Sequence, residues 1–308
     1  MSKYCIILNP EAGKGGGRKA IPEIKGYLEE FGIEYDLILT EFPGHGIQLA
    51  YEAGSNGYDT VVAAGGDGTA NEIINGLMKA SNEGKQISNL AVLPVGRGND
   101  FSYGVGVPQT LEEACRLLVK GNTRKIDVGL VKGGDYPDGR YFGNGVGIGF
   151  DTIVGFEAAK LPPFLSGVPA YLIAALKTIF LYFNAPLLRI MIDDDEVVEQ
   201  PCLLVSMMNG SRMGSSFYFA PNSASDDGLL NLCIAKQVTR LQVLALFPKI
   251  MSGSQEGHPA ISMPVARKIH VEALEGSLPV HADGETICEA GKSLDVEVFR
   301  QQLDLLCE

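Results

Sequence analysis

The fold class is decided by the stretch Thr60-Val61-Val62-Ala63-Ala64-Gly65-Gly66-Asp67-Gly68-Thr69, followed by Ala70-Asn71-Glu72. Residues 60–64 are a short, mostly apolar run that ends at two glycines, which predicts a buried strand, and a helix is predicted over 71–79. The glycines between them let backbone N–H groups approach phosphate oxygens, and the helix N-terminus adds a positive partial charge. The stretch therefore predicts a phosphate-binding loop, with Asp67 suited to hold Mg²⁺ or its waters. A capping turn with Thr69 as N-cap is the other interpretation.

The same alternation of strand and helix extends over residues 1–128. Strands are predicted at 4–8, 34–39, 60–64 and 90–94, and helices at 18–31, 45–54, 71–79 and 110–120. Strands separated by helices indicate a parallel sheet covered on both faces. We therefore expect an α/β domain whose ligand lies beyond the carboxyl ends of the strands.

The pattern changes after this domain. Between residues 129 and 292 successive apolar runs are separated by turn residues such as Gly133-Gly134-Asp135, which predicts an all-β antiparallel sandwich. A helical insertion is expected at 161–184, either packed on the sandwich or facing lipid. Residues 293–308 are expected to return to the first domain.

Two further glycine-rich loops follow predicted strands. The first, residues 9–18, fails the dinucleotide fingerprint because Arg18 stands where a third glycine is needed, and it lacks the Gly-Lys-Ser/Thr of a P-loop. The second, residues 93–101, carries Arg97, which is able to clamp a phosphate. Both loops are candidates for nucleotide contacts, and plain turns are the alternative.

An acidic turn, Asp283-Gly284-Glu285, follows another predicted strand. Phosphoryl transfer to a hydroxyl needs positioning, charge neutralisation and a group that accepts the proton. Two carboxylates on one tight turn suit the base and metal roles. An ordinary Asp-Gly hairpin turn is the competing interpretation.

Composition excludes several classes of protein. The formal net charge of -12 disfavours a nucleic-acid partner. The six cysteines show no CxxC pair, which favours buried thiols in a reducing cytosol over a metal site. The N-terminus shows no signal peptide, and the longest apolar stretch, Tyr171 to Phe183, is too short to span a membrane.

Taken in order, these motifs resemble the bacterial lipid kinase branch of the diacylglycerol kinase family, which is related to sphingosine kinases and NAD kinases. The matching residues are Asn9-Pro10 with Gly13, Thr40, Gly65 to Thr69, Gly96 to Phe101, Asn144, Asn209-Gly210, Pro221, Asp226 to Leu229 and Asp283 to Glu285. Arg97 departs from the threonine that is common in the family.

The resemblance implies ATP as co-substrate and Mg²⁺ as cofactor. It implies a nucleotide site formed by Asn9, Gly13, Thr40, Gly65, Gly66, Asp67, Gly68, Thr69, Ala70, Asn71 and Arg97. It also implies a structural Mg²⁺ site made of the Asp227 side chain and the carbonyls of Ala224 and Leu229. Either Glu285 or Asp283 is the implied base, and we favour Glu285.

The leading hypothesis is an ATP- and Mg²⁺-dependent lipid kinase, cytoplasmic and bound peripherally to a membrane during catalysis, with ATP in a cleft between the domains. An NAD kinase is the first alternative, since Asn71-Glu72 fits part of that pattern. A nucleotide-sensing module without catalysis is the second. The lipid used, ATP against GTP, and assembly into a homodimer stay open.

Overall fold

The structure, a computed structural model, describes residues 3–162, 165, 168–181, 185–193 and 196–308. The chain divides into two compact units, one of residues up to Val128 with Gln301–Glu308 and the other of Gly129–Arg300. The sequence expected the C-terminal return to begin at residue 293, whereas the division follows Arg300. No helix among the described residues combines the length and apolar character needed to cross a membrane.

The first unit alternates strands and helices. Its elements are β1 (Tyr4–Leu8), α1 (Ala12–Glu30), β2 (Tyr35–Leu39), α2 (His45–Ala53), β3 (Thr60–Gly65), α3 (Asp67–Asn82), β4 (Asn89–Pro94), α4 (Asp100–Gly104) and α5 (Leu111–Lys120).

These strands form a parallel sheet in the order β2-β1-β3-β4. Every residue of β1 and β3 is buried, as expected for central parallel strands covered on both faces. The unit is therefore the α/β domain that the alternation of apolar runs predicts.

Helix α3 begins earlier than the sequence indicated. It starts at Asp67, so only Gly66 separates it from β3, and Thr69 lies inside the helix rather than at its N-cap. Helix α1 also has an irregular start, because Gly13, Lys14 and Gly15 have left-handed φ angles. A short strand-to-helix connection brings the first helical N–H groups directly to the sheet edge.

The second unit is built mainly of antiparallel strands. Its elements are β5 (Thr123–Gly133), β6 (Tyr136–Phe142), β7 (Gly145–Gly149), α6 (Phe150–Ala159), α7 (Val168–Leu181), β8 (Leu187–Ile192), β9 (Glu196–Met208), β10 (Leu230–Lys236), α8 (Arg240–Ser252), β11 (Ile261–Ser262), β12 (Val265–Ala266), β13 (Lys268–Glu275), β14 (Leu278–Ala282), β15 (Glu285–Gly291) and β16 (Ser293–Leu306). The first residues of β5 and the last residues of β16 belong to the first unit.

Strand β9 belongs to both layers of this unit. Its first half pairs with β8, which continues to β13, and its second half pairs with β7 and β10. The core between the layers combines residues of both, among them Ile190, Val205, Val271 and Val280. The predicted antiparallel sandwich is confirmed.

Helices α6 and α8 were not predicted. Both helices are apolar on most sides, and periodicity alone does not distinguish a short apolar helix from a buried strand in the sequence. Within the predicted insertion at 161–184, the structure describes α7, and residues 163–164, 166–167 and 182–184 lie outside the described part of the chain.

The packing of α2 on α3 generates a stability prediction. A Cβ atom at Gly76 would lie 2.4 Å from the Ile47 carbonyl oxygen and 2.7 Å from the Ala50 Cβ atom, whereas one at Gly26 of α1 meets nothing within 4 Å. We expect Gly76→Ala to destabilise by about 1–3 kcal/mol through overpacking, and Gly26→Ala to stabilise by about 0.5–1 kcal/mol. Urea unfolding followed by circular dichroism checks both signs, and an increase in stability for Gly76→Ala contradicts this packing.

Candidate active site

The three glycine-rich loops of the first unit meet at the carboxyl ends of β1, β3 and β4. The backbone N–H groups of Val95 and Gly96 donate to the carbonyl of Gly65 at 2.9 and 3.0 Å. The N–H of Asn9 donates to the carbonyl of Ala64 at 3.1 Å. Residues that are distant in the sequence thus form one continuous rim of loops.

Glycine is required where these loops touch. A Cβ atom at Gly96 would lie 2.4 Å from the Cα atom of Gly66, and one at Gly13 would lie 3.0 Å from the Val95 carbonyl oxygen. Gly13 also has a φ of +61°, which other residues rarely adopt. The loops pack backbone against backbone, which is the arrangement that phosphate binding by N–H groups needs.

Asp67 and Thr69 hold this rim in place. The Asp67 Oδ1 atom accepts the Phe101 N–H at 2.9 Å, which joins the loop after β3 to the start of α4. The buried Thr69 side chain fills the space beside Gly65, and Gly68 and Ala70 lie in the same first turns of α3.

The remaining predicted nucleotide residues lie around the same edge. The Asn9 side chain accepts the N–H of Glu11 at 2.9 Å, and the Thr40 N–H donates to the carbonyl of Leu8. Asn71 is fully buried, whereas Arg97 is exposed.

Glu72 has a structural use that sequence reasoning missed. Its two carboxylate oxygens accept the N–H groups of Gly44 and Gly46 at 2.7 and 2.9 Å. These bonds fix the loop before α2, close in sequence to Thr40. The Glu72 carboxylate therefore has a local structural role.

In the second unit, Asp283 accepts three backbone hydrogen bonds. Its Oδ2 atom accepts the N–H of Gly143 at 2.8 Å, and its Oδ1 atom accepts those of Asn144 and Gly145 at 2.9 Å each. The residue is buried, with a φ of +48° that aspartate tolerates better than most residues. A carboxylate engaged in this way is suited to shaping the turn.

The Gly143-Asn144-Gly145 turn is also held from its other side. The Asn209 side chain donates to the Gly143 carbonyl at 2.7 Å, and the Asn144 carbonyl accepts the N–H groups of Asn209 and Gly210. A Cβ atom at Gly210 would lie 2.0 Å from the Asn144 Oδ1 atom. Three motifs that stood apart in the sequence form one cluster.

Glu285 begins β15 and has a different environment. Its side chain is 45% exposed, and its Oε2 atom lies 3.9 Å from the guanidinium of Arg140, which is itself nearly buried. The Arg140 Nη1 atom donates to the Tyr136 hydroxyl at 3.0 Å. Glu285 thus presents a carboxylate to solvent beside a nearly buried cation. Sequence reasoning did not single out Arg140.

Asp227 lies in an exposed turn before β10. Its Oδ1 atom accepts the N–H of Leu229 at 2.9 Å, and Gly228 between them has a φ of +80°. Among the described residues, no group of three His, Cys, Asp or Glu side chains is placed to hold a metal. A cation here would depend on backbone carbonyls such as those of Ala224 and Leu229.

Beside the acidic turn, a second ionisable pair is buried. The His281 Nε2 atom lies 3.5 Å from the Asp151 Oδ2 atom, and both side chains are largely buried beneath the start of α6. His281 pairs with Gly147 across β14 and β7, where the missing side chain leaves room for both groups. The absence of a side chain at Gly147 thus accommodates both groups.

Comparison with known proteins agrees with this architecture. Residues 3–131 match the model of the diacylglycerol kinase catalytic domain, and residues 144–307 match that of the YegS C-terminal NAD kinase beta sandwich-like domain. The chain belongs to the diacylglycerol kinase family of lipid kinases. It is therefore a phosphotransferase with an alcohol group as acceptor.

Relatives match over most of their length. A protein of Chromohalobacter salexigens named "Probable lipid kinase YegS-like" is 32% identical over 91% of this chain and 86% of its own. A diacylglycerol kinase of Staphylococcus aureus strain MRSA252 is 29% identical over 91% and 85%.

Solved structures share the fold. A diacylglycerol kinase of Bacillus anthracis str. Sterne has a TM-score of 0.74 at 24% identity, covering 100% of this chain and 97% of that one. An NAD kinase of Archaeoglobus fulgidus in complex with ATP has a TM-score of 0.51 at 15% identity, covering 99% and 93%. At these identities the likeness concerns the fold alone.

The contrast between the two carboxylates generates a prediction. We expect Asp283→Asn to lower the free energy of unfolding by about 1–3 kcal/mol, because an amide NH₂ would face one of the three N–H donors. Glu285→Gln should change it by less than about 0.5 kcal/mol, because the side chain is half exposed. Chemical unfolding measures both, and equal stabilities for the two variants contradict the assignment of Asp283 to the turn.

Proposed function

We propose that the protein transfers the γ-phosphate of ATP, with Mg²⁺, to the hydroxyl of a membrane lipid such as diacylglycerol. The observation that supports this most directly is the convergence of three glycine-rich loops on one sheet edge, in a chain of the lipid kinase family. The first unit binds the nucleotide in this proposal, and the second supplies the groups that handle the lipid hydroxyl.

The loop rim suits a triphosphate and its metal. Backbone N–H groups at the start of α3 are directed to the sheet edge, and the close contact of Gly66 and Gly96 leaves no side chain in the way. Asp67 offers a hard oxygen donor at the same point, which is the type of ligand that Mg²⁺ prefers. Mg²⁺, when bound, neutralises charge on the phosphates.

Glu285 is the group that we assign as the general base. In the transfer, the lipid hydroxyl gives its proton to the Glu285 carboxylate while the hydroxyl oxygen bonds to the γ-phosphorus of ATP. The bond between the γ-phosphorus and the oxygen of the leaving ADP breaks. Asp283 positions the turn through its three hydrogen bonds. The guanidinium of Arg140 lies 3.9 Å from the Glu285 carboxylate.

The NAD kinase alternative has less support. The likeness to NAD kinases concerns the fold alone, whereas the relatives at 29–32% identity carry lipid kinase or diacylglycerol kinase names. Glu72, which had suggested a dinucleotide substrate, accepts hydrogen bonds from Gly44 and Gly46.

We also propose that the protein works at the cytoplasmic face of a membrane, where it would meet its lipid substrate.

A phosphorylation assay tests this proposal. The purified protein is incubated with Mg²⁺, labelled ATP and a panel of lipids in mixed micelles, and NAD serves as the soluble control. We expect label in a lipid and none in NAD. Phosphorylated NAD without labelled lipid contradicts the proposal.

The same assay tests the base. We expect Glu285→Gln to lower turnover by about 10²–10⁴-fold, because the amide cannot accept the proton, with ATP affinity nearly unchanged. The matched variant Glu289→Gln alters an exposed glutamate later on the same strand and should keep wild-type turnover. Retention of more than about a tenth of turnover by Glu285→Gln rules out its role as base.

A structural Mg²⁺ at Asp227, with the carbonyls of Ala224 and Leu229, is the last part of the proposal. A metal that binds only the folded state raises its stability by mass action. Mg²⁺ should therefore raise the melting temperature of the wild type by a few degrees and that of Asp227→Ala by less. An equal rise in both proteins removes this site from the account.

A further inference from the structure

Two neighbouring helices of the second unit expose large apolar side chains. Helix α7 exposes Leu172, Ile173, Leu176, Phe180 and Leu181, and helix α8 exposes Leu241 and Leu244. These seven are half of the fourteen large apolar side chains found exposed among the described residues. Because large contiguous apolar patches are rare on monomeric proteins, their concentration indicates an interaction surface. We name these seven residues the α7/α8 face.

The face is carried by helices that are firmly packed on their other side. Ala174, Ala175 and Ile179 of α7 belong to the same buried core cluster as Val243 of α8. The Arg240 Nε atom donates to the Ile179 carbonyl at 2.9 Å, which joins the last turns of α7 to the first residue of α8.

The most exposed side chains are next in sequence to the residues of this junction. Phe180 is 68% exposed, Leu181 63% and Leu241 78%, and they neighbour the two residues that the hydrogen bond joins. The exposed apolar side chains of the two helices are thus carried by elements that are joined to each other.

The charge of the two helices differs from that of the whole chain. Their sequences contain Lys177, Arg240 and Lys249 and no aspartate or glutamate, whereas the chain carries a formal net charge of -12. An anionic surface repels most of this protein but attracts these helices.

The nearest acidic group on α6 does not reverse this charge. The buried Glu157 carboxylate accepts hydrogen bonds from Lys177 and Lys160, which lower the pKa of Glu157 below its usual range. One carboxylate is therefore shared between two ammonium groups, which leaves a net positive charge beside the apolar side chains.

We propose that the α7/α8 face docks onto an anionic phospholipid bilayer. Its apolar side chains enter the acyl boundary while the flanking Lys and Arg side chains meet the headgroups. The inference rests on the proposed function, because a kinase that acts on a membrane lipid needs a surface that brings it to the bilayer. It deepens that function by naming the surface and the lipid charge that it selects.

Vesicle flotation tests the surface directly. We expect the wild type to float with mixed phosphatidylglycerol and phosphatidylcholine vesicles and much less with phosphatidylcholine alone. The triple variant Phe180→Ser/Leu181→Ser/Leu241→Ser should lower the partition coefficient roughly hundredfold. Lys249→Gln should lower it about fivefold on the anionic vesicles only.

The matched control is Val197→Ser/Val265→Ser, which removes two exposed apolar side chains elsewhere in the same unit. It should float like the wild type, and all variants should keep the wild-type melting temperature because every altered side chain is exposed. A triple variant that floats like the wild type, or a wild type that does not float, overturns the proposal. So does a wild-type dimer in sedimentation velocity that the triple substitution dissociates, since a second copy would then cover the face.

An activity arm separates this proposal from the kinase assignment. With a short-chain, water-soluble diacylglycerol, the triple variant should keep the wild-type kcat/KM, and with vesicle-embedded diacylglycerol it should lose activity in step with binding. Equal loss on both substrates overturns the docking role. A wild type that floats as expected but phosphorylates no lipid supports the surface and contradicts the proposed function alone.

Discussion

The Asp283 carboxylate, which accepts the N–H groups of three consecutive residues, determines the shape of the acidic turn. Hydrogen bonds to a charged group contribute about 1.5–3 kcal/mol each, more than enough to offset the cost of a left-handed residue at this position. Because the bonds end on Gly143, Asn144 and Gly145, the start of β7 and the end of β14 are joined beyond their strand pairing. The same hydrogen bonds therefore fix the backbone at Glu285, two residues after Asp283.

Asp283 and Glu285 have different environments although they lie on one turn. Asp283 is buried and accepts three N–H groups, whereas Glu285 is half exposed beside Arg140, which supports our proposal of Glu285 as the base. In the first unit, a comparable constraint comes from backbone contact rather than from charge. The approach of Gly66 to Gly96 is possible because neither residue has a side chain.

The architecture of both units could be predicted from the sequence because the spacing of apolar residues in strands and in helices is a local property. Apolar runs separated by helical stretches predict a parallel sheet, and successive runs with turn residues predict a sandwich. The early start of α3 was missed because a glycine-rich segment looks like a loop, and α6 and α8 were missed because they lack a polar face. The sequence indicated the acidic turn and favoured Glu285 as the base, but it did not indicate the hydrogen bonds that Asp283 accepts. Asp283 and Gly143 are 140 residues apart, so their hydrogen bond has no local signal.

The most direct test of the structural role of Asp283 is hydrogen exchange at the amides of Gly143, Asn144 and Gly145. We expect these amides to be protected in the wild type and in Glu285→Gln, because the Asp283 carboxylate still accepts all three hydrogen bonds. In Asp283→Asn, protection of the Gly143 amide should fall at least about tenfold, as expected when about 1.4 kcal/mol of stabilisation is lost. Unchanged protection at Gly143 in Asp283→Asn, or an equal loss in Glu285→Gln, would contradict the account.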